Sequence, residues 1–185
     1  MSTQPNTSQS MAAVGELLGN LWVRELSQPQ IDQLQHEDVA SQLAGLGADL
    51  SELSRSDAKE LLEVEYCRLL IGPAEAISPI QSITEEGRFH GEAFASSQKF
   101  YGLLGDLDPT LEDVMPDHFG RQLLFLATLM NLEGDASAAD ATAAFYQRHI
   151  AWIEPILERV EAKSETQFYR TLCIVTRKFL AAIDE

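Results

Sequence analysis

The chain has 185 residues, of which 45% are hydrophobic and 8% aromatic, a composition typical of a globular protein with one sizeable core or two tightly packed halves. Its 13 basic and 29 acidic side chains give a formal net charge of −16 at pH 7, which argues against nucleic acid or an anionic membrane as the main partner. A basic partner is favoured instead, although acidity that serves only solubility would give the same composition.

The first ten residues are polar and consist mainly of Ser, Thr, Gln, Asn and Pro. They have neither the basic region nor the apolar region of an export signal, and we expect residues 1–10 to be a disordered tail. No later stretch is long and apolar enough to span a bilayer, so we expect no stable membrane insertion. Cys67 and Cys173 lie far apart without metal-binding spacing, as in a reducing compartment. These features predict a cytoplasmic protein.

The first predicted helix follows this tail, and Ser10 can cap it. Its apolar residues recur at the spacing of one helical face. They are Val14, Leu17, Leu18, Leu21 and Trp22. Gly15 and Gly19 lie in the same helix and could let another helix come close. The pattern therefore predicts a packing helix.

A second helix opens at Pro29 and a third ends at Gly72-Pro73. Residues 72–82 (GPAEAISPIQS) contain two prolines and a glycine, and they form the one sustained non-helical connection that the sequence indicates inside the chain. We expect a hinge there, joining an N-terminal half (11–71) to a C-terminal half (83–185). The expected state is a monomer, with a domain-swapped dimer as the alternative.

The second half is built around a central helix that follows Asp117. Ser82 can cap an earlier helix, and a loop over 105–116 leads to the central one. From Leu123 to Met130 this helix is apolar on nearly every side, so other helices must wrap it. Asp117 can accept its free N–H groups and suits the positive end of its dipole. The simplest interpretation of Asp117 is thus a helix cap.

Two further helices are predicted after the turn at Gly134-Asp135. One covers Ala138 to Glu154 and is kinked or broken by Pro155. The last opens at a capping-box sequence, 164–167 (SETQ). No segment alternates with period two. We therefore predict an all-α protein, a helical bundle of two packed halves joined by the Pro/Gly-containing hinge.

Motifs that carry a known chemical mechanism are absent from the sequence. It contains no phosphate-binding loop, dinucleotide fingerprint, zinc-protease helix or hydrolase nucleophile elbow. The four histidines are dispersed, and His149, on an apolar helix face, is interpreted as a hydrogen-bonded structural residue. Asp117 with His118 could start an acid–base site, but no nucleophile or third member is identifiable. We predict that the chain is not an enzyme and needs no cofactor.

An acidic cluster near residue 60 is the nearest approach to a metal site. It comprises Glu60, Glu63 and Glu65. Neighbours on a helix need a spacing of three or four residues, which only Glu60 with Glu63 satisfies. A solvated helix face is therefore the preferred interpretation, and no metal is predicted.

Four short motifs in the order found here resemble the TorD/DmsD/NarJ family, the cytoplasmic chaperones that mature molybdenum-containing redox enzymes. The resemblance extends roughly from Glu60 to the C-terminus. The motifs are 65–73 (EYCRLLIGP), 78–82 (SPIQS), Pro116-Asp117-His118, and the set Phe145, His149 and Trp152.

The resemblance implies an all-helical, non-enzymatic chaperone. Its client would be the precursor of a molybdopterin-dependent oxidoreductase, held by its twin-arginine signal peptide, its apo form or both until the cofactor is inserted. An acidic surface beside an apolar groove would suit such a peptide, which is basic and then apolar. The residues assigned to client binding are Tyr66, Pro79, Gln81, Ser82, Pro116, Asp117, His118 and Gln122.

The chain departs from the family pattern at three positions. Ile80 and Gln81 stand where the family commonly has an aromatic residue and Glu, and Gln122 stands where it commonly has Glu. Two carboxylates have thus become amides, which leaves open which client is served. The alternative function is an all-α adaptor or regulator that binds a different basic protein.

Overall fold

The computed structural model describes residues 7–73, 75–104, 109–132 and 136–184, and regular structure in these ranges is helical. This confirms the predicted all-α class. The α-helices are α1 (Thr7–Val23), α2 (Gln28–Gln35), α3 (Glu37–Gly45), α4 (Ala58–Tyr66), α5 (Gln81–Glu86), α6 (Glu92–Leu104), α7 (Phe119–Asn131), α8 (Ala136–His149), α9 (Glu154–Lys163) and α10 (Gln167–Asp184). Short 3-10 helices lie at Ser51–Ser54, Pro109–Leu111 and Ala151–Ile153, and a π-helix at Cys67–Ile71.

Several boundaries differ from the predicted ones. The helix predicted from Pro29 is divided at His36, whose extended backbone (φ −62°, ψ 133°) ends α2 and begins α3. The helix predicted from Ser82 is divided after α5, because Gly87 adopts a left-handed conformation (φ 70°) that ends a helix. The predicted tail lies outside the described residues up to residue 6, and α1 already begins at Thr7.

The chain divides into two compact units that are not the sequential halves expected. Unit 1 contains α1 together with Pro79–Ile153, and unit 2 contains Arg24–Ser78 together with α9 and α10. The first helix therefore belongs with the second half of the chain, and the last two helices with the first half. One of the three connections between the units lies inside the predicted hinge segment 72–82.

In unit 1, α7 is the central helix, and its residues from Phe119 to Leu123 are all buried. Aromatic rings surround it. Trp22 of α1 packs edge-on against Phe119 at 5.7 Å, and Phe145 of α8 lies 4.7 Å from Phe125. The apolar run after Asp117 is thus wrapped by other helices, as its composition predicts.

In unit 2, the core lies between α4 and α10. Leu62 and Tyr169 are fully buried, and the Tyr169 hydroxyl donates to the Leu62 carbonyl (3.3 Å). Tyr66 packs against Tyr169 with ring centroids 6.4 Å apart. Arg177 of α10 donates to the Glu154 carboxylate of α9 (2.6 Å), which ties these two helices together.

No helix in the described ranges has the length and apolar character needed to cross a bilayer. Nor do His, Cys, Asp and Glu side chains gather, within those same ranges, into a group of three or more suited to a metal ion.

Candidate functional site

Two of the family-like motifs meet at the start of α7. Ile80 and His118 form an isolated antiparallel bridge. The Phe119 N–H donates to the Pro79 carbonyl (2.8 Å), and the Gln81 N–H donates to the Asp117 carbonyl (3.0 Å). These backbone bonds fix the segment Pro79–Ser82 to the turn that precedes α7. The structure therefore joins, inside unit 1, segments that lie about 35 residues apart in sequence.

Asp117 is fully buried and caps α5 rather than α7. Its Oδ2 accepts the Ser82 N–H at 2.9 Å, near the start of α5. Among the described residues, neither Asp117 Oδ1 nor the Ser82 hydroxyl has a hydrogen-bond partner. The expectation that Asp117 caps the central helix was wrong, because the N-cap position of α7 is occupied by His118.

His118 caps α7 through its ring. Its Nδ1 accepts the Gly120 N–H (3.1 Å), so the neutral ring carries its proton on Nε2. Burial lowers the pKa of His118 to about 4, and the side chain is neutral at physiological pH. The residue retains 9% of its surface exposed. A small part of His118 therefore reaches the protein surface, and the residue carries no positive charge.

Behind this turn lies a buried network of Gln81, Gln122 and His149, each fully excluded from solvent. Gln122 Nε2 donates to Gln81 Oε1 (2.8 Å), and the same oxygen lies 3.0 Å from His149 Nδ1. Gln81 Nε2 donates to the Glu85 carboxylate (2.9 Å) and to the Arg148 carbonyl (2.8 Å). Each amide acts as donor and acceptor at once, which a carboxylate cannot do.

The motif of Phe145, His149 and Trp152 completes this network. Trp152 Nε1 donates to Gln122 Oε1 and to the His149 carbonyl, both at 3.0 Å. His149 Nε2 lies 3.0 Å from the Ser96 hydroxyl, and burial, assisted by the positive charge of Arg148, lowers its pKa to about 4. His149 is thus the hydrogen-bonded structural histidine that the sequence indicates.

Seven of the eight residues assigned to client binding are buried, and Pro116 is partly exposed. Unit 1 brings seven of the eight together: Pro79, Gln81, Ser82, Pro116, Asp117, His118 and Gln122. Tyr66 belongs to unit 2, where burial raises its pKa. The grouped residues form a polar core beneath the Pro116–His118 turn, so their direct contact with a client stays a prediction.

Arg121 was missed by the sequence analysis, although an arginine in so apolar a helix is itself a signal. It is 8% exposed, and its NH1 donates to the carbonyls of Leu111 (3.0 Å) and Val114 (2.6 Å). Its guanidinium also lies 5.3 Å from the centre of the Tyr101 ring. Arg121 therefore holds the loop that leads into the turn.

Glu65 lies in unit 2 and is buried. The interpretation of the acidic cluster as a solvated helix face was therefore wrong for this residue. It is 3% exposed and accepts two hydrogen bonds from Arg68 (2.7 and 2.8 Å) and one from the Glu165 N–H (2.6 Å). Burial alone would raise the pKa of Glu65, but these donors outweigh it and the pKa is lowered. The spacing of three residues between Glu65 and Arg68 was the signal available in the sequence.

Comparisons with known proteins identify the family of this chain and a solved structure with a similar fold. A family model described as the nitrate reductase delta subunit matches residues 32–158. The chain is 27% identical over 134 residues to the chaperone protein YcdY of Escherichia coli (strain K12). This alignment covers 72% of this chain and 69% of that protein. It is also similar to the crystal structure of an Archaeoglobus fulgidus protein assigned to redox enzyme maturation, with a TM-score of 0.63, 23% identity and coverage of 100% and 98% of the two chains. The similarity to the Archaeoglobus fulgidus structure supports the all-α fold.

Proposed function

Because this chain belongs to the nitrate reductase delta subunit family, whose members are maturation chaperones and not enzymes, we propose that it holds the precursor of a molybdopterin-dependent oxidoreductase until the cofactor is inserted. The part of the precursor that the chain binds is the twin-arginine signal peptide, the apo form of the enzyme or both. A client of this kind meets its chaperone before export, so the proposed location is the cytoplasm.

The observation that carries this proposal is the family match over residues 32–158. That range contains the segment Pro79–Ser82, the Pro116–His118 turn and the buried network behind them. The net charge of −16 adds support, since an acidic surface attracts the basic region of a signal peptide.

Within unit 1, the geometry suggests separate roles for the assigned residues. Pro116 is partly exposed and His118 keeps a small exposed surface, so these two are the proposed client contacts. Asp117 is fully buried and acts through its bond to the Ser82 N–H, which makes it a positioning residue. Gln81 and Gln122 hold the segment from behind in the same way. The neutral His118 ring would donate to a peptide carbonyl instead of pairing with an arginine.

A pull-down from an anaerobically grown host tests the function. We expect precursors of molybdenum enzymes to dominate the captured proteins. A different basic protein as the dominant partner would favour the adaptor alternative and overturn the chaperone proposal.

The proposed contact is tested with a synthetic twin-arginine signal peptide. We expect His118→Ala to weaken binding about tenfold while the helical signal is retained, because a buried hydrogen bond to the peptide is lost. His36→Ala is the matched control, since His36 is an exposed histidine of unit 2. Wild-type affinity in a folded His118→Ala variant would return His118 to a purely structural role.

A further inference from the structure

An exposed side of the helical segment 58–71 in unit 2 is apolar where a polar surface is expected. Val64 of α4 is 63% exposed and Ile71 of the π-helix is 61% exposed. Cys67 lies between them and is also exposed. The three residues are three and four positions apart, the spacing that places side chains along one side of a helix. We call Val64, Cys67 and Ile71 the apolar stripe.

This stripe is not the buried side of the segment. Leu62, Leu69 and Leu70 point into the core of unit 2 and are between 0% and 8% exposed. The π-helix closes with a bond from the Gly72 N–H to the Cys67 carbonyl (2.7 Å), so Ile71 lies in a hydrogen-bonded turn. Solvent-facing apolar residues that share one side of a continuous helical segment indicate an interaction surface.

Acidic side chains border the stripe. The Cys67 thiol donates to the Glu25 carboxylate (3.3 Å), which places Glu25 beside it. Glu60 lies one helical turn before Val64, and Glu63 is adjacent to it in sequence and pairs with Lys59. A further cation of the segment, Arg68, is engaged by Glu65 and by the Lys163 carbonyl. Arg24 precedes Glu25 in the sequence and is a cation near this border. Glu25, Glu60 and Glu63 outnumber it, and the border therefore favours a cationic partner.

We infer that the apolar stripe is a docking surface for the signal peptide of the client, with its apolar region against Val64 and Ile71 and its arginines beside Glu25 and Glu60. This inference rests on the proposed function and adds a peptide contact in unit 2. A second copy of the chain is a poorer occupant. In a symmetric pair the stripes would bring the same carboxylates of two chains, each of charge −16, towards one another.

Cys67 provides a native probe of this surface. The hydrogen bond to Glu25 raises the pKa of Cys67, but Cys67 is exposed. The other cysteine, Cys173, is buried and its pKa is raised to about 12, so a thiol reagent will modify Cys67 first. The peptide for the test carries two adjacent arginines followed by about twelve apolar residues. We expect saturating peptide to slow the alkylation of Cys67 about tenfold, as for a residue covered by an interface. A peptide with both arginines replaced by glutamine should require higher concentrations for the same protection.

A variant test accompanies the labelling. We expect Val64→Ser combined with Ile71→Ser to weaken peptide binding about tenfold. Phe89→Ser is the matched control, because Phe89 is also 61% exposed but lies in unit 1, and it should bind as the wild type does. Circular dichroism checks that all variants are folded.

Each outcome separates the docking surface from the proposed function. Binding by the wild type with unchanged Cys67 alkylation, or equal affinity in the folded stripe variant, would overturn the docking surface and leave the chaperone proposal standing. A wild type that does not bind the peptide would overturn both the docking surface and signal-peptide recognition. Protection of Cys67 that rises with protein concentration in the absence of peptide would show a second copy on the stripe, and would overturn the client as its occupant.

Discussion

The side chain of Asp117 anchors the start of α5 through one hydrogen bond, from the Ser82 N–H to its Oδ2. Alanine would leave this N–H without its acceptor, so we expect Asp117→Ala to lower the free energy of unfolding by about 2 kcal/mol. Asparagine keeps an acceptor oxygen for the Ser82 N–H, so Asp117→Asn should lower the free energy of unfolding clearly less. Urea unfolding of both variants measures the difference. Equal losses in the two variants would mean that the acceptor oxygen does not account for the stabilisation by Asp117.

The amides of Gln81 and Gln122 fit a network that needs donors. In a variant with Glu at both positions, the contacts of Gln81 Nε2 with Glu85 (2.9 Å) and of Gln122 Nε2 with Gln81 Oε1 (2.8 Å) would become oxygen–oxygen contacts. We expect the double variant to lose about 3 kcal/mol or more of stability at pH 7, because two buried charges would be unpaired.

A proton on either new carboxyl group would restore a donor, so this loss should be smaller at pH 5 than at pH 7. Gln98→Glu, at an exposed position of α6, is the control and should change stability by less than about 0.5 kcal/mol. A double variant as stable as the wild type would show that the network can rearrange around carboxylates.

The low pKa of His118 predicts how stability depends on pH. Its imidazole has a pKa of about 4 in the folded protein, below the ordinary value of 6.5 that it regains on unfolding. The unfolded state therefore binds more protons between these values, and stability should fall as the pH drops from about 6.5 to about 4. His118→Asn keeps a capping oxygen for the Gly120 N–H without titrating there, so its stability should fall less between pH 7 and pH 5. Chemical denaturation of the wild type and of His118→Asn at both pH values measures this difference.

At the scale of elements, periodicity predicted where helices form better than where they end. The apolar spacing around Trp22 and the apolar run after Asp117 both correspond to helices, α1 and α7. The breaks at His36 and Gly87 were missed, because single backbone conformations decide them and the apolar pattern continues past them. Asp117 was assigned to its neighbouring helix because a sequence shows local caps, whereas its partner Ser82 lies 35 residues away.

The packing of α1 on α7 depends on two facing glycines. A Cβ at Gly120 would lie 2.6 Å from Val23 Cγ2 and 2.8 Å from the Gly19 carbonyl oxygen. We therefore expect Gly120→Ala to lower the free energy of unfolding by about 2 kcal/mol through overpacking. Gly102→Ala in α6 is the control, since nothing lies within 4 Å of the Cβ position at Gly102. This variant should have a free energy of unfolding about 0.5 to 1 kcal/mol higher than that of the wild type. Thermal melts of both variants measure these changes. A Gly120→Ala variant as stable as the wild type would show that α1 and α7 can separate slightly.

At the scale of the whole molecule, the grouping of helices could not be read from the sequence. Periodicity shows that a helix buries one face, but it does not identify the partner of that face. Unit 1 combines α1 with the second half of the chain, and unit 2 takes α9 and α10, so the chain passes between units at 23/24, 78/79 and 153/154. Exchange of one unit between two chains would therefore involve all three connections. The predicted hinge at 72–82 contains only one of them. The monomer stays the predicted state.

The acidic charge belongs to the molecule as a whole. Unit 1 has twelve acidic and four basic residues and unit 2 has seventeen and nine, so each carries half of the net charge of −16. A basic peptide is therefore attracted by both units before it finds its site, and salt should weaken this steering.

We expect the association rate of a twin-arginine peptide to fall about tenfold between about 0.03 M and about 1 M NaCl, with little change in the dissociation rate. Stopped-flow fluorescence separates the two rates. The peptide with both arginines replaced by glutamine should lose most of the salt dependence. Equal association rates for the arginine peptide at both salt concentrations would show that the acidic surface serves solubility and does not recruit the client.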